Sequence, residues 1–319
     1  MILIISSQQD EHALAVMQHL QQAGAAYHLL DLSTFPQHTA INLSYASPAN
    51  QFHLHTPSGE LLNLADCGAI WWRRPQAFEP HAAITDPGYR HFVMNESFEA
   101  FTGLWHSLEA FWVNQPHSDE RAQRKVYQLS QAQRLGLRIP QTLITTSRAQ
   151  AEAFIAQQGL SNTIYKAFSA TEQHWRETRQ LKAEELQLLE HVKYAPVIFQ
   201  EYIPATYDIR LTVIGEQFFP AAIYSQATSY KFDMRMDFER AKVEAVTLPA
   251  EVSAKIRALM QALDLQYGAI DLRLTPAGEY VFLEINPAGQ WLFIEAKTQQ
   301  PMTVAMAELL MHNDQPKRI

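Results

Sequence analysis

One cysteine, Cys67, stands in 319 residues. That excludes an internal disulfide and any cysteine-rich zinc site. Basic residues are the minority, 25 Lys and Arg against 33 Asp and Glu, and the formal net charge is −8. A nucleic-acid surface needs a basic stripe, so that class is disfavoured. No apolar run is long enough to span a bilayer. The opening MILIISSQQDEH meets Asp10 and Glu11 too soon for a signal sequence, so a cytoplasmic location is expected. No G-x-G-x-x-G follows the first apolar run, and a dinucleotide site is not indicated. Repeats and low-complexity tracts are missing. The 13 histidines are scattered. His53 and His55 share one strand face but have no third ligand near them, and read as surface residues.

What remains is 47% hydrophobic and 18% charged, the composition of a globular protein of two or three domains. Residues 1–32 read strand, helix, strand, the start of a βαβ unit in an α/β domain. CGAIWWRRP follows as a strand ending at Arg73 and Arg74. Two arginines beside two tryptophans suit a grip on a carboxylate or stacking on a ligand, or else an ordinary ion pair at a strand end. Residues 87–113 form an aromatic-rich helix that belongs in a core or against a second copy of the chain. A linker at 113–117 closes the first domain. One helix is expected from Ser118 to the Gly136 stop, with Lys125 inside it. TIYKAF carries Lys166 within an apolar strand, costly unless its ammonium finds a partner or water.

The most informative stretch is 269–291, AIDLRLTPAGEYVFLEINPAGQW. Two strands read here, joined by a four-residue loop, Pro276–Glu279. That loop sets Asp271 opposite Glu284. Asp271, Arg273, Thr275, Tyr280, Phe282, Glu284 and Asn286 then share one face. Ile270, Leu272, Leu274, Val281, Leu283 and Ile285 share the other, which is the buried one. Two carboxylates and an amide oxygen at one point suit a hard cation such as Mg²⁺. A solvated face with an Arg273 ion pair is the plainer alternative.

The order of residues narrows this. Lys125 opens K-x₁₀-G-x₃-P, ending at Pro140. Lys166 follows, then Gln200-Glu201-Tyr202-Ile203, then Asp208 seven positions after Glu201, then Arg210. Glu284 and Asn286 lie thirteen and fifteen positions after Asp271. This series resembles the ATP-grasp superfamily of carboxylate ligases. WWRRP, QEYIPATYDIRLTVIG and GAIDLRLTPAGEYVFLEINPAGQW resemble, more narrowly, the microviridin-type or graspetide peptide maturases. The resemblance implies an α/β ATP-grasp fold behind an N-terminal pre-ATP-grasp domain, divided as 1–117, a lid subdomain 118–198, and a metal- and nucleotide-bearing subdomain 199–319.

The resemblance also implies roles. Lys125 and Lys166 would neutralise ATP phosphates. Gln200, Glu201, Tyr202 and Ile203 would read the adenine, and Asp208 the ribose hydroxyls. Asp271, Glu284 and Asn286 would hold Mg²⁺. Arg210 would stabilise charge on the transferring phosphoryl group, and Arg273 would hold the substrate carboxylate. Arg73, Arg74, Asp233 and Arg235 are further substrate candidates. The implied activity is ATP-dependent ring closure in a ribosomally made precursor peptide, between an Asp or Glu side chain and a Thr or Ser hydroxyl or a Lys amine, with ester formation favoured. The implied partners are that precursor with its leader segment and, through the aromatic helix, a second copy of the chain; neither nucleic acid nor membrane is expected. A ligase acting on a small molecule or a free peptide terminus, and a non-catalytic binding module, are the alternatives. Two departures stand out: FSATEQHW after Lys166 has no glycine, and TQQPM replaces a Thr-Gly before the last helix.

Overall fold

Short apolar runs build the first sheet. β1 (Ile2–Ile5) is followed by α1 (Glu11–Gln22) and β2 (Tyr27–Leu30). Asp10 caps α1, accepting from the Ala13 amide at 2.9 Å. β3 (Ala40–Ser44), β4 (Gln51–His55) and β5 (Leu61–Asn63) form a small antiparallel sheet. β6 (Ala69–Trp72), α2 (Pro87–Ser107) and β7 (Phe111–Val113) complete the region. The main sheet is parallel, in the order β2-β1-β6-β7. Such sheets are covered on both faces, which is why ILII is wholly apolar. Leu3 and Ile5 face α2, packing with Phe101, Leu104 and Trp105. Ile2 and Ile4 face α1 and a second core. This computed structural model describes residues 1–45, 50–168, 178–224 and 241–315. Ser169–Trp175, within the glycine-free FSATEQHW stretch, lies outside those residues.

Two helices, α3 (Pro116–Ala122) and α4 (Lys125–Arg134), stand where one was expected. No proline or glycine marks the break. Side chains of α4 reach β16, described below, and that tertiary demand sets the new start. Lys125 therefore opens α4 rather than sitting within a helix. Gly136, at φ +73°, ends the segment in the left-handed conformation that favours glycine.

The next four-stranded sheet comprises β8 (Thr142–Thr145), β9 (Thr163–Lys166), β10 (Arg179–Gln180) and β11 (Val197–Glu201), antiparallel in the order β10-β9-β11-β8. α5 (Arg148–Gln158) and a 3₁₀ helix, Ala183–Tyr194, pack on it around Phe199 and Leu189. β11 pairs wholly within this sheet, so the sheet continues past position 198 to Glu201.

The last sheet comprises β12 (Tyr207–Ile214), β13 (Gln217–Ile223), β14 (Val243–Ala245), β15 (Tyr267–Leu274) and β16 (Tyr280–Asn286). Its order is β14-β13-β12-β15-β16, all antiparallel. α6 (Ala250–Leu263) covers one face through Ile256, Leu259 and Leu263. α7 (Leu292–Thr298) and α8 (Met302–Asn313) follow. α8 packs against α1, β6 and β12. Its Met302, Met306 and Leu310 share one core with Ile2, Ile4, Trp71, Phe219, Tyr267 and Trp291. The first sheet and the last sheet are therefore joined by continuous apolar packing. Among the described residues no helix is long and apolar enough to cross a membrane.

The β15–β16 ribbon differs from the expected hairpin in two places. Thr275 N donates to Glu279 O at 2.9 Å, and Gly278 has φ +83°, so the loop is Pro276–Gly278, one residue shorter. Leu272 consequently faces Phe282, Arg273 faces Val281 and Leu274 faces Tyr280. A bulge at Leu283 then restores the count, and Asp271 faces Glu284 as expected. Phe282 moves to the aliphatic face, where it is fully buried, and Val281 takes its place beside Arg273. The polar face is covered only at its turn end, where Arg273 is 6% and Thr275 9% exposed, while Asn286 is exposed.

Candidate active site

Side chains alternate along β12, and Asp208, Arg210 and Thr212 leave the face opposite Ile209, Leu211 and Val213. In the ladder Asp208 lies opposite Arg273, and Arg210 opposite Asp271. Both pairs close into ion pairs: Arg273 Nε donates to Asp208 Oδ1 at 2.7 Å, and Arg210 Nη1 to Asp271 Oδ1 at 2.8 Å. Burial works most strongly against the Arg210 charge, but Asp271, joined by Tyr267 and Glu284, leaves the guanidinium raised above its ordinary value. One strand further, Asp271 meets Glu284, whose Oε2 accepts from Lys125 Nζ at the start of α4. Arg210, Asp271, Glu284 and Lys125 thus form one row across three strands and a helix.

Two adjacent carboxylates repel, and the row neutralises them with one cation at each end. Asn286 stands opposite Ala269, and its Oδ1 accepts from Ala288 N at 2.9 Å. An amide oxygen has a second lone pair to offer. Two carboxylates and this oxygen, all hard donors brought together by one ribbon, fit a Mg²⁺ ion.

The nucleotide candidates gather at the end of β11. Gln200 is buried, its Nε2 donating to Thr142 Oγ1 at 2.9 Å. The Glu201 carboxylate takes both Arg138 Nη2, at 3.0 Å to each oxygen, and the Gln141 amide at 2.9 Å. Tyr202 N donates to Asn162 O at 2.8 Å. Ile203 O accepts from Arg273 Nη1 at 2.9 Å. Lys166 ends β9, opposite Ile198 of β11.

Two expectations for substrate binding change. Arg273 is enclosed and committed to Asp208 and the Ile203 carbonyl, so its guanidinium does not face an open substrate space. It ties together two groups expected at the nucleotide. Arg73 is 1% exposed and lies beside the stacked Trp71–Trp291 pair, its guanidinium carbon 5.9 and 5.4 Å from their ring centres. Its Nη1 donates to Ala288 O and Gly289 O, both at 2.7 Å, and its Nε lies 3.4 Å from Asp10. The ion-pair alternative describes Arg73, with the difference that it also clamps the loop after Asn286. Arg74 is exposed. Asp233 and Arg235 lie outside the described residues.

Residues with no motif signal complete that clamp. His12 Nε2 accepts from Trp291 N at 2.9 Å and Leu292 N at 3.2 Å. Burial, helped by Arg73, lowers its pKa to about 3, so the ring is the neutral acceptor this bonding needs. Asn114 Nδ2 donates to Tyr267 O at 3.0 Å and Pro287 O at 3.2 Å, and Tyr267 Oη to Gly289 O at 2.8 Å. Arg210 Nη2 donates to Gln290 O at 3.2 Å. A Cβ on Gly289 would lie 2.3 Å from the Ala269 Cβ and 3.0 Å from Arg210 Nη2, so only glycine passes there. Three residues of the first domain, His12, Arg73 and Asn114, therefore seat the loop on which Arg210 rests.

The MvdD pre-ATP grasp domain family matches residues 1–120, and the RimK-like ATP-grasp domain family residues 122–310. No curated protein matches the chain. Among solved structures it is similar to the macrocyclase MdnC of Microcystis aeruginosa MRC bound with precursor peptide MdnA. Identity is 26% over 98% of this chain and 99% of that one, with a TM-score of 0.84. A Chryseobacterium gregarium RiPP-associated ATP-grasp ligase, in complex with ADP and a leader and core peptide, is 25% identical over 98% and 96%, with a TM-score of 0.89. The macrocyclase MdnB of Microcystis aeruginosa MRC is 28% identical over 97% and 98%, with a TM-score of 0.81. The charge row lies within the RimK-like region, and the loop clamp joins that region to the MvdD-type domain. The chain belongs to the RimK-like ATP-grasp ligases, enzymes that use ATP with Mg²⁺, and carries an MvdD-type pre-ATP-grasp domain at its front.

Proposed function

We propose that this chain closes rings within a ribosomally made precursor peptide by joining an Asp or Glu side chain to a Thr or Ser hydroxyl, an ester, or else to a Lys amine. The observation that carries the proposal is the Arg210–Asp271–Glu284–Lys125 row in a chain spanned end to end by peptide macrocyclases. A carboxylate oxygen of the peptide attacks the γ-phosphorus of ATP, and ADP leaves. The hydroxyl or amine then attacks the carbonyl carbon of the acyl phosphate and gives up its proton, and phosphate departs. The sum is one ATP hydrolysed and one water lost from the peptide per ring.

Mg²⁺, held by Asp271, Glu284 and Asn286, would supply charge neutralisation at the β- and γ-phosphates. Lys125 and Lys166 bring point charges to the same phosphates. Gln200, Glu201, Tyr202 and Ile203 line the adenine and Asp208 the ribose, with Arg273 positioning Asp208 and Ile203. Arg210 meets charge developing on the transferred phosphoryl group. Arg74, the exposed neighbour of Arg73, is the candidate for a substrate carboxylate.

The leader segment is assigned to the lid, residues 140–198, where Leu188 and Tyr194 are 50% and 74% exposed. A second copy of the chain is assigned to the outer face of α2, where Tyr89, Phe92 and Phe98 are 70%, 58% and 59% exposed. The site of action is the cytoplasm.

The test is incubation of purified protein with ATP, Mg²⁺ and candidate precursors bearing Thr/Ser and Asp/Glu near the C-terminus. Loss of one water per ring is expected. Mild base opens an ester and spares an amide. ATP turnover without dehydration of any precursor, or mass gain by an added amine, would replace this reading with that of an ordinary carboxylate–amine ligase.

A further inference from the structure

We infer that Gln128 is a positioning residue that stands in for a missing β-strand beside the metal-binding ribbon. The inference rests on the assignment of Glu284 and Asn286 to Mg²⁺. β16 is the outer strand of its sheet. An outer strand has one row of backbone groups without a ladder partner. Ile285 lies between Glu284 and Asn286, and its N–H and C=O turn outward to α4. There Gln128 Oε1 accepts from Ile285 N at 3.1 Å, and Gln128 Nε2 donates to Ile285 O at 2.8 Å. These are the two bonds that a neighbouring strand would exchange with that residue.

The same Nε2 donates to Ala122 O, the end of α3, at 2.6 Å. Gln128 is only 3% exposed. Lys125 stands three positions earlier on α4, on the same side of the helix, and bonds the Glu284 side chain. One helical turn therefore grips both the backbone of the ribbon and one of its ligands. Further along the strand, Phe282 N donates to Arg138 O at 2.8 Å. With Gln128 removed, the backbone between the two ligands would lose its outer support, and both oxygens would lose their fixed direction. Outer supports of this kind are worth about 10- to 100-fold in metal affinity.

The test compares the wild type with Gln128→Leu and Gln128→Glu in Mg²⁺-dependent ADP binding by calorimetry, together with amide exchange at Ile285 in nucleotide-free protein. Gln128→Leu is expected to raise the Mg²⁺ concentration needed for tight ADP binding by about 10-fold or more. Mg²⁺-free ADP binding should be unchanged, and Ile285 exchange faster. Gln128→Glu keeps the acceptor but loses the donor. Its defect should shrink from about pH 8 to about pH 5.5, as protonation of the buried carboxyl restores an O–H donor. It also carries the test should the leucine variant not fold. Wild-type Mg²⁺ dependence in both variants would overturn the inference, and so would equal loss of Mg²⁺-free binding, which marks a merely structural role. A wild type whose ADP affinity ignores Mg²⁺ would instead overturn the metal assignment and Gln128's role with it.

Discussion

Asp271 and Glu284 face each other directly across the β15–β16 ladder, and each is held by a different cation, Arg210 from β12 and Lys125 from α4. The pair has its charge balanced from two sides by elements far apart in sequence. Substituting Glu284→Gln keeps the shape and removes one charge. ATP turnover should fall by at least about 100-fold, since outer-shell changes alone reach that size. Circular dichroism and melting temperature should stay near wild type. Turnover within a few-fold of wild type would remove Glu284 from the metal set.

Arg210→Lys keeps a charge near Asp271 but cannot also reach the Gln290 carbonyl. A donor aimed at developing charge is worth about 10²–10³ in kcat. Steady-state kinetics should show that loss in kcat with the KM for ATP little changed. A rise in KM alone would make Arg210 a ground-state binding group.

Arg73→Ala leaves Asp10 buried without its partner and frees the carbonyls of Ala288 and Gly289. Breaking a buried pair from one side costs about 3–5 kcal/mol. Urea unfolding should show that loss. Arg73→Met combined with Asp10→Asn should recover much of it, because the uncompensated charge is gone.

His12 makes stability depend on acid. Its folded pKa is about 3, against 6.5 for the free imidazole. The unfolded chain therefore binds a proton first as pH falls. The contribution is complete above about pH 6.5 and is lost toward pH 3, by up to about 1.4 kcal/mol per pH unit. Unfolding midpoints at pH 7.5 and pH 5, two points about either side of that value, should converge in His12→Asn relative to wild type. An unchanged difference would assign the acid sensitivity elsewhere.

Phe92→Glu with Phe98→Glu places charge on the exposed side of α2. Light scattering should report a dimer for the wild type and a monomer for the double variant. A wild-type monomer would leave that face unassigned.

The sequence exposed the acidic ribbon because its two strands are short, alternate cleanly and are joined by a recognisable turn. It placed Asp271 opposite Glu284 through a loop one residue too long, and the Leu283 bulge supplied the missing count. Lys125 was legible from its distance to Pro140, but not its place at a helix start, which β16 dictates. Arg73 stood out in WWRRP, but its targets Ala288 and Gly289, like Trp291 and Leu292 for His12, lie more than 200 positions away, so no local pattern could announce those contacts. A glutamine within a helix, such as Gln128, has no signature until its neighbour in space is known.

The paired irregularities of the ribbon have a bearing on how such a chain can change in length. Leu283 is the one residue in excess of a plain ladder. With it deleted, Glu284 would follow Phe282 directly and still face Asp271 across a three-residue turn. A residue added to the Pro276–Gly278 turn would enlarge the turn and leave the pairs beyond it as they are. Each edit alone keeps the acidic pair opposed, so relatives of this chain should vary in turn length and bulge independently.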